Sequence, residues 1–431
     1  MKRISQRNDF IRWTILAAAC LTFFGAVPAR GDEWRQFRGP GGQATSDERG
    51  LPVRWSSREN IVWRTELPGP GTSSPVTVGK RIFLTCYTGY ALDATEPGDM
   101  KNLKRHLVCV DRGTGQIVWH KQFDPKLPEH NYAGEGTYHG YSSSTPTSDG
   151  ERLYIFFGKS GVFCFDLDGT QIWHTSVGEG THGWGSGTSP VLYKNLLIVN
   201  ASVESGSMVA LDKTSGKEVW QAGGISASWN TPVIVNVPNG QPELVVSVHD
   251  RLIGLNPDTG EQLWNCEGVH RYVCPSVVSN NGVVFAIGGG HTSLAVRAGG
   301  RGEVTQSHGI WRESHGSNVS SPIYHDGHLY WASDSGGVVT CQDAATGRTV
   351  YQKRLEPGSG LIYASPILAD GRLYYVSQRK GTYVIAAKPE FELLAHNVIE
   401  GDDSRTNASP VVSNGQLLLR TDRFLYCIGK P

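Results

Sequence analysis

Neither sign of charge prevails in this chain: Lys+Arg and Asp+Glu are both 40, giving formal net charge +0. That balance leaves no basic excess to argue for nucleic acid or an anionic membrane, and there is no acidic tail. No two cysteines stand in a C-x-x-C pair, so the usual thiolate metal motifs are excluded as well. Methionine is nearly absent, with 3 residues against Gly 53, Trp 12 and Tyr 16. Such a balance fits an all-β chain of many tight turns and aromatic packing positions.

Apolar runs are short except at the N-terminus. Lys2, Arg3, Arg7 and Arg12 precede an uncharged stretch from Trp13 to Ala29, closing on Val27-Pro28-Ala29-Arg30-Gly31. This order reads as a signal peptide over residues 1–31, cleaved after Ala29 or Gly31, and predicts export to the periplasm or the extracellular space. A membrane anchor is the rival reading, but Thr14, Thr22, Gly25 and Pro28 interrupt a run already short for a full span. Ala17-Ala18-Ala19-Cys20 lacks the Leu of a lipoprotein box. No membrane span is predicted in the mature chain.

What is present in quantity is a repeat. The stretch Ser321-Pro322-Ile323-Tyr324-His325-Asp326-Gly327-His328-Leu329-Tyr330-Trp331 has relatives anchored at Pro75, Pro146, Pro190, Pro232, Pro275, Pro366 and Pro410. Intervals from Pro146 onward run from 42 to 47 residues, whereas Pro75 to Pro146 spans 71. Periods of this length belong to propeller blades of four strands. Turn residues agree with the strands: Asp149-Gly150, Asn281-Gly282, Asp326-Gly327, Asp370-Gly371 and Asn414-Gly415 fall between first and second strands. Thr114-Gly115, Ser215-Gly216, Thr259-Gly260 and Thr346-Gly347 fall between third and fourth, and Trp119, Trp220 and Trp264 follow shortly after. Trp173 and Trp311 hold equivalent places, while Tyr351 and Leu394 replace the indole in the sixth and seventh units. Each such ring buries ~150–250 Å², roughly 4–6 kcal/mol at most, so contacts repeated between blades can hold a ring together.

The chain ends one strand short, and Asn60-Ile61-Val62-Trp63-Arg64 near its start matches a fourth strand. We therefore expect an eight-bladed β-propeller of four-stranded antiparallel blades over residues 55–431, closed by an N-terminal strand completing the last blade. Residues 32–54 are broken by Gly and Pro and read as an irregular arm. Cys109, Cys164, Cys341 and Cys427 share one repeat position with Ala210 and Gly254, a slot that selects for smallness. Cys266 and Cys274 flank one inter-blade loop and are placed for a disulfide in an exported protein.

The runs Ala210-Leu211-Asp212-Lys213-Thr214-Ser215-Gly216-Lys217-Glu218-Val219-Trp220 and Gly254-Leu255-Asn256-Pro257-Asp258-Thr259-Gly260-Glu261-Gln262-Leu263-Trp264 resemble the signature of the PQQ-like (pyrroloquinoline quinone) repeat propellers. The resemblance covers about residues 55 to 431. That superfamily includes the quinoprotein alcohol dehydrogenases, which hold PQQ and calcium over the funnel, and the BamB-like outer-membrane assembly lipoproteins. A fold hosts such sites without implying them.

In this architecture the segments before the anchoring prolines converge on one channel mouth. They supply His139, Tyr141, His182, Trp184, Trp229, Arg271, Tyr272, His315, Asn318, Tyr363, Arg405 and Asn407 as a candidate ligand-binding funnel. The plainer reading is that the rings plug the channel and the His-Gly pairs shape turns. The segments hold no carboxylate, although calcium and a general base both need one, and the adjacent cysteines of several quinoprotein dehydrogenases are missing. The expectation is a monomeric, non-catalytic scaffold needing no cofactor, with an envelope protein partner or a small ligand at the mouth. The alternative is a PQQ-dependent dehydrogenase with calcium, oxidising an alcohol or sugar, for which Trp184, Trp229, Arg271 and Arg405 would hold the quinone. A third reading joins His139, His182 and His315 around a metal. Two insertions, at 87–105 and 123–138, are expected to cap one side of the funnel.

Overall fold

Alternating apolar strands separated by Asp-Gly and Asn-Gly turns build eight antiparallel sheets around one axis. The computed structural model describes residues 1, 33–93, 95–289 and 292–430. Apart from Met1, the stretch read as a signal peptide lies outside them. Blades 1 to 7 are meanders in chain order. Blade 8 takes its outer strand from the front: Ile61–Glu66 pairs with Phe424–Ile428, with Trp63 opposite Cys427. The ring is thus closed as the repeat demanded. Two blades depart from four strands: Thr45–Ser46 adds in parallel to Ile367–Ala369 of blade 7, and Gly302–Glu303 to Gln262–Glu267 of blade 4.

The repeat motif has a direct mechanical meaning. In blade 3, Asp212 accepts from the backbone N–H groups of Thr214 and Ser215, which fixes the turn that carries Gly216 at φ 73°. The indole of the preceding blade lies flat on that glycine: a Cβ there would meet Trp173 at 2.6 Å. Trp173 Nε1 then donates to the Lys213 carbonyl at 3.1 Å. The same donation links Trp63 to Arg112, Trp119 to Leu167, Trp220 to Pro257 and Trp311 to Ala344. The small-residue slot is explained too, because Cys109, Cys164, Ala210 and Cys427 stand opposite these indoles in their own ladders.

Trp264 departs from the expected docking. Blade 5 has no Thr-Gly turn; the excursion 298–308 replaces it, so the Trp264 indole donates within its own blade to Glu243 at 2.6 Å. Glu243, 2% exposed, also accepts from Gly299 N and from Arg301 Nη1. One carboxylate thereby joins blades 4 and 5 where a turn joins the others. The anchor of blade 5 is also corrected. Seven innermost strands start just after their proline, but this one is Val278–Asn280, so Pro275 stands two residues ahead of register and Ser276 occupies the position before the anchor.

The arm is held firmly despite its irregular sequence. Trp34 exchanges hydrogen bonds with Thr77, the Arg35 carbonyl accepts from Ser148 N, and Ala44 O accepts from Leu368 N. Arg38, 1% exposed, donates to the Pro322 carbonyl. Residues 33–46 therefore cross the end of the channel opposite the mouth. The seven cysteines among the described residues are free thiols, and Cys266 and Cys274 form no disulfide.

Candidate functional site

Each innermost strand is entered through a Ser or Thr, and these hydroxyls form a ring. Thr145 Oγ1 accepts from Ser74 N, Ser189 from Thr145 N, Thr231 from Ser189 N, and Ser276 from Thr231 N. Ser321, Ser365 and Ser409 continue it, each accepting from the blade before, all at 2.9–3.1 Å. The ring is interrupted between blades 8 and 1, where Ser74 Oγ has no partner. There Arg420, 1% exposed, reaches over to the Ser73 carbonyl and hydroxyl at 2.8 and 2.7 Å. The rim on which the mouth segments stand is therefore locked blade to blade.

Above this ring lies a cavity of about 300 Å³. Of the predicted residues, His139, Trp184, Trp229, Tyr272, Asn318, Tyr363 and Asn407 line it. Trp184 meets Trp229 at 4.9 Å and Tyr272 at 4.4 Å, the latter nearly perpendicular. Tyr363 stands edge-on to Tyr138 at 5.3 Å. The other five lie elsewhere. Tyr141 is buried against Tyr87 and Tyr90, and His182 lies on the exposed side of Trp184 and Trp229. Arg271 is exposed, and His315 is half-buried outside the lining. Arg405 pairs with Asp422 at 2.9 Å and donates to the Thr137 carbonyl.

The two insertions meet at the mouth. Tyr87, Tyr90, Ala91 and Leu103 pack on Tyr141 with Tyr132 and Met100 against them, over a buried Arg105–Glu129 ion pair of 2.6 Å. From there the short helix Gly136–His139 extends to blade 8, where the Thr137 and Tyr138 carbonyls accept from Arg405 and Asn407. This helix also delivers Glu135 and His139 to the cavity.

Sequence reasoning missed Asp334, Phe37, Ser143 and Cys274. Asp334 comes from the connection between second and third strands of blade 6, which opens at the same end of the blade as the segments that were read. Its carboxylate accepts from Asn318 N at 3.3 Å and Asn318 Nδ2 at 3.1 Å. Phe37 comes from the arm and separates the cavity from a smaller one of about 180 Å³ beneath; nothing local in its sequence signals that position. Burial holds the His139 pKa down at about 4, so the ring is neutral at pH 7. It pushes the Cys274 thiol up to about 12. Among the described residues the carboxylates of the lining are Glu135 and Asp334, and no Lys or Arg joins them. Among the described residues no three of His, Cys, Asp and Glu gather closely enough to hold a metal ion, so the three predicted histidines do not converge.

Eight blades, the docked indoles and the Asp-x-x-Thr-Gly turns define a PQQ-like repeat propeller. The chain belongs to the family described as outer membrane protein assembly factor BamB, whose model matches residues 103–307, 225–393 and 302–423. It is 23% identical over 332 residues to the outer membrane protein assembly factor BamB of Burkholderia pseudomallei (strain K96243), covering 72% of this chain and 74% of that one. Among solved structures, BamB from Moraxella catarrhalis is similar with a TM-score of 0.59 at 13% identity, over 86% of this chain and 97% of that one. The quinohemoprotein alcohol dehydrogenase from Comamonas testosteroni gives 0.65 at 11% identity, over 94% and 82%. At such identities the likeness is one of fold.

Proposed function

We propose that this protein is an exported, non-catalytic propeller of the cell envelope that acts as a binding or assembly scaffold, presenting its capped mouth to an envelope protein. The observation that carries the reading is the sign of charge at the mouth. A quinone bearing three carboxylates needs cationic partners, and among the described residues this cavity offers two carboxylates and no Lys or Arg. Of the two arginines that sequence offered for the quinone, Arg405 is committed to Asp422 and Thr137 and Arg271 lies outside the lining. These residues do not fit the quinone. Family membership supports the scaffold reading, since the matched relatives are named as assembly factors. No helix among the described residues is long and apolar enough to cross a membrane.

The test is to tag the full chain, isolate it from envelope fractions, and add PQQ and calcium to the purified protein. An envelope protein that co-purifies in fixed proportion, with no dye reduction by alcohols or sugars, is expected. Dye reduction dependent on PQQ would overturn the reading.

A further inference from the structure

The cavity has a chemistry more specific than that of a general docking surface. Trp184, Trp229 and Tyr272 form one aromatic wall, with two of its rings nearly perpendicular, and Tyr363 stands on another part of the lining. Glu135 and Asp334 join them, and neither carboxylate has an ion pair among the described residues. Among the described residues the Asp334 carboxylate accepts from Asn318 N and Nδ2. Ring faces attract cations through their quadrupole, and more strongly when water is excluded. Uncompensated carboxylates raise the local concentration of cations and repel anions.

We propose that the cavity binds an organic cation, an alkylated or primary ammonium group whose carbon shell packs on the indoles while its charge faces Glu135 and Asp334. This rests on the reading of the mouth as a binding site rather than a redox centre. Two sources share that chemistry: a small alkylammonium compound, or a lysine side chain of a protein partner.

The test is calorimetric titration of the full chain with choline and with 3,3-dimethylbutan-1-ol, the uncharged isostere. Choline should bind about fivefold or more tightly than the isostere. Asp334→Asn should weaken choline roughly threefold to tenfold and leave the alcohol unchanged. If D334N fails to fold, Glu135→Gln at the exposed rim carries the same comparison. Equal affinity for choline and the alcohol, tighter binding of acetate, or no saturable binding of choline or a Gly-Lys-Gly peptide would overturn the inference. Tighter binding of Gly-Lys-Gly than of choline would assign the site to a lysine side chain, the reverse to a small compound; both support it. An envelope protein captured while neither cation binds would sink this inference alone, whereas cation binding without capture would sink the scaffold reading alone.

Discussion

Gly260 and Gly327 both sit at φ 76°, but only one of them has an indole on it. A Cβ on Gly260 would lie 2.5 Å from Cε3 of Trp220, whereas one on Gly327 would meet nothing within 4 Å. Alanine at either position carries the left-handed backbone cost of roughly 1–2 kcal/mol. Gly260→Ala adds the overpacking of a buried docking surface, about 1–3 kcal/mol more. With an unfolding entropy near 2.1 cal/mol/K per residue over about 400 residues, each kcal/mol moves the melting temperature by ~1.2 °C. G327A should therefore lower it by about 1–2 °C and G260A by about 2–6 °C. Trp220→Ala removes the obstacle, so adding G260A to W220A should cost only the backbone share. Calorimetric melts of the five proteins complete the cycle. Equal losses in G260A and G327A, or a G260A penalty undiminished in the W220A background, would refute the account of how blades dock.

Ser321→Ala removes the acceptor of the buried Ser276 N–H and should cost about 1–3 kcal/mol, whereas Ser74→Ala, which removes a buried hydroxyl with no partner among the described residues, should cost nothing or stabilise by up to about 1 kcal/mol; urea titrations of the pair check this. Glu204, 5% exposed, has its pKa raised by burial to about 7. Between the ordinary carboxylate value and 7 the unfolded chain releases a proton that the native one keeps, so stability falls as pH rises through this window, by up to ~3 kcal/mol. Glu204→Gln keeps an acceptor for the Ser186 hydroxyl and should match the parent near pH 4.5 while melting higher at pH 8; parallel melts across that range that never diverge would contradict it.

The ring, its closure and most of its indole docking were legible because they follow from periodicity. Five blade junctions solve the same packing problem, so Asp, Gly and Trp return there at the same offsets. The misreading of blade 5 has the same origin. Pro275 resembles an anchor by residue type, yet the feature that all eight blades share is the hydroxyl one step ahead, Ser276 in this blade. The ring of hydroxyls was visible as Ser74, Thr145, Ser189, Thr231, Ser321, Ser365 and Ser409, each immediately before its proline. Its acceptor role required knowing that neighbouring strands bring a backbone N–H to each.

The mouth was less legible because repetition stops there. Seven of twelve predicted residues line one cavity, since entry segments converge whatever their sequence. The remaining character of the site comes from places that the repeat does not specify: an insertion brings Glu135, a second-to-third strand connection brings Asp334, and the arm brings Phe37. Arg405 shows the consequence. By position it belongs in the funnel, but Asp422 and the Thr137 carbonyl hold it, which takes from the lining a cation that could have met an anionic cofactor. The charge of the mouth is therefore decided by a few non-repeating segments resting on a rim that the hydroxyl ring ties blade to blade.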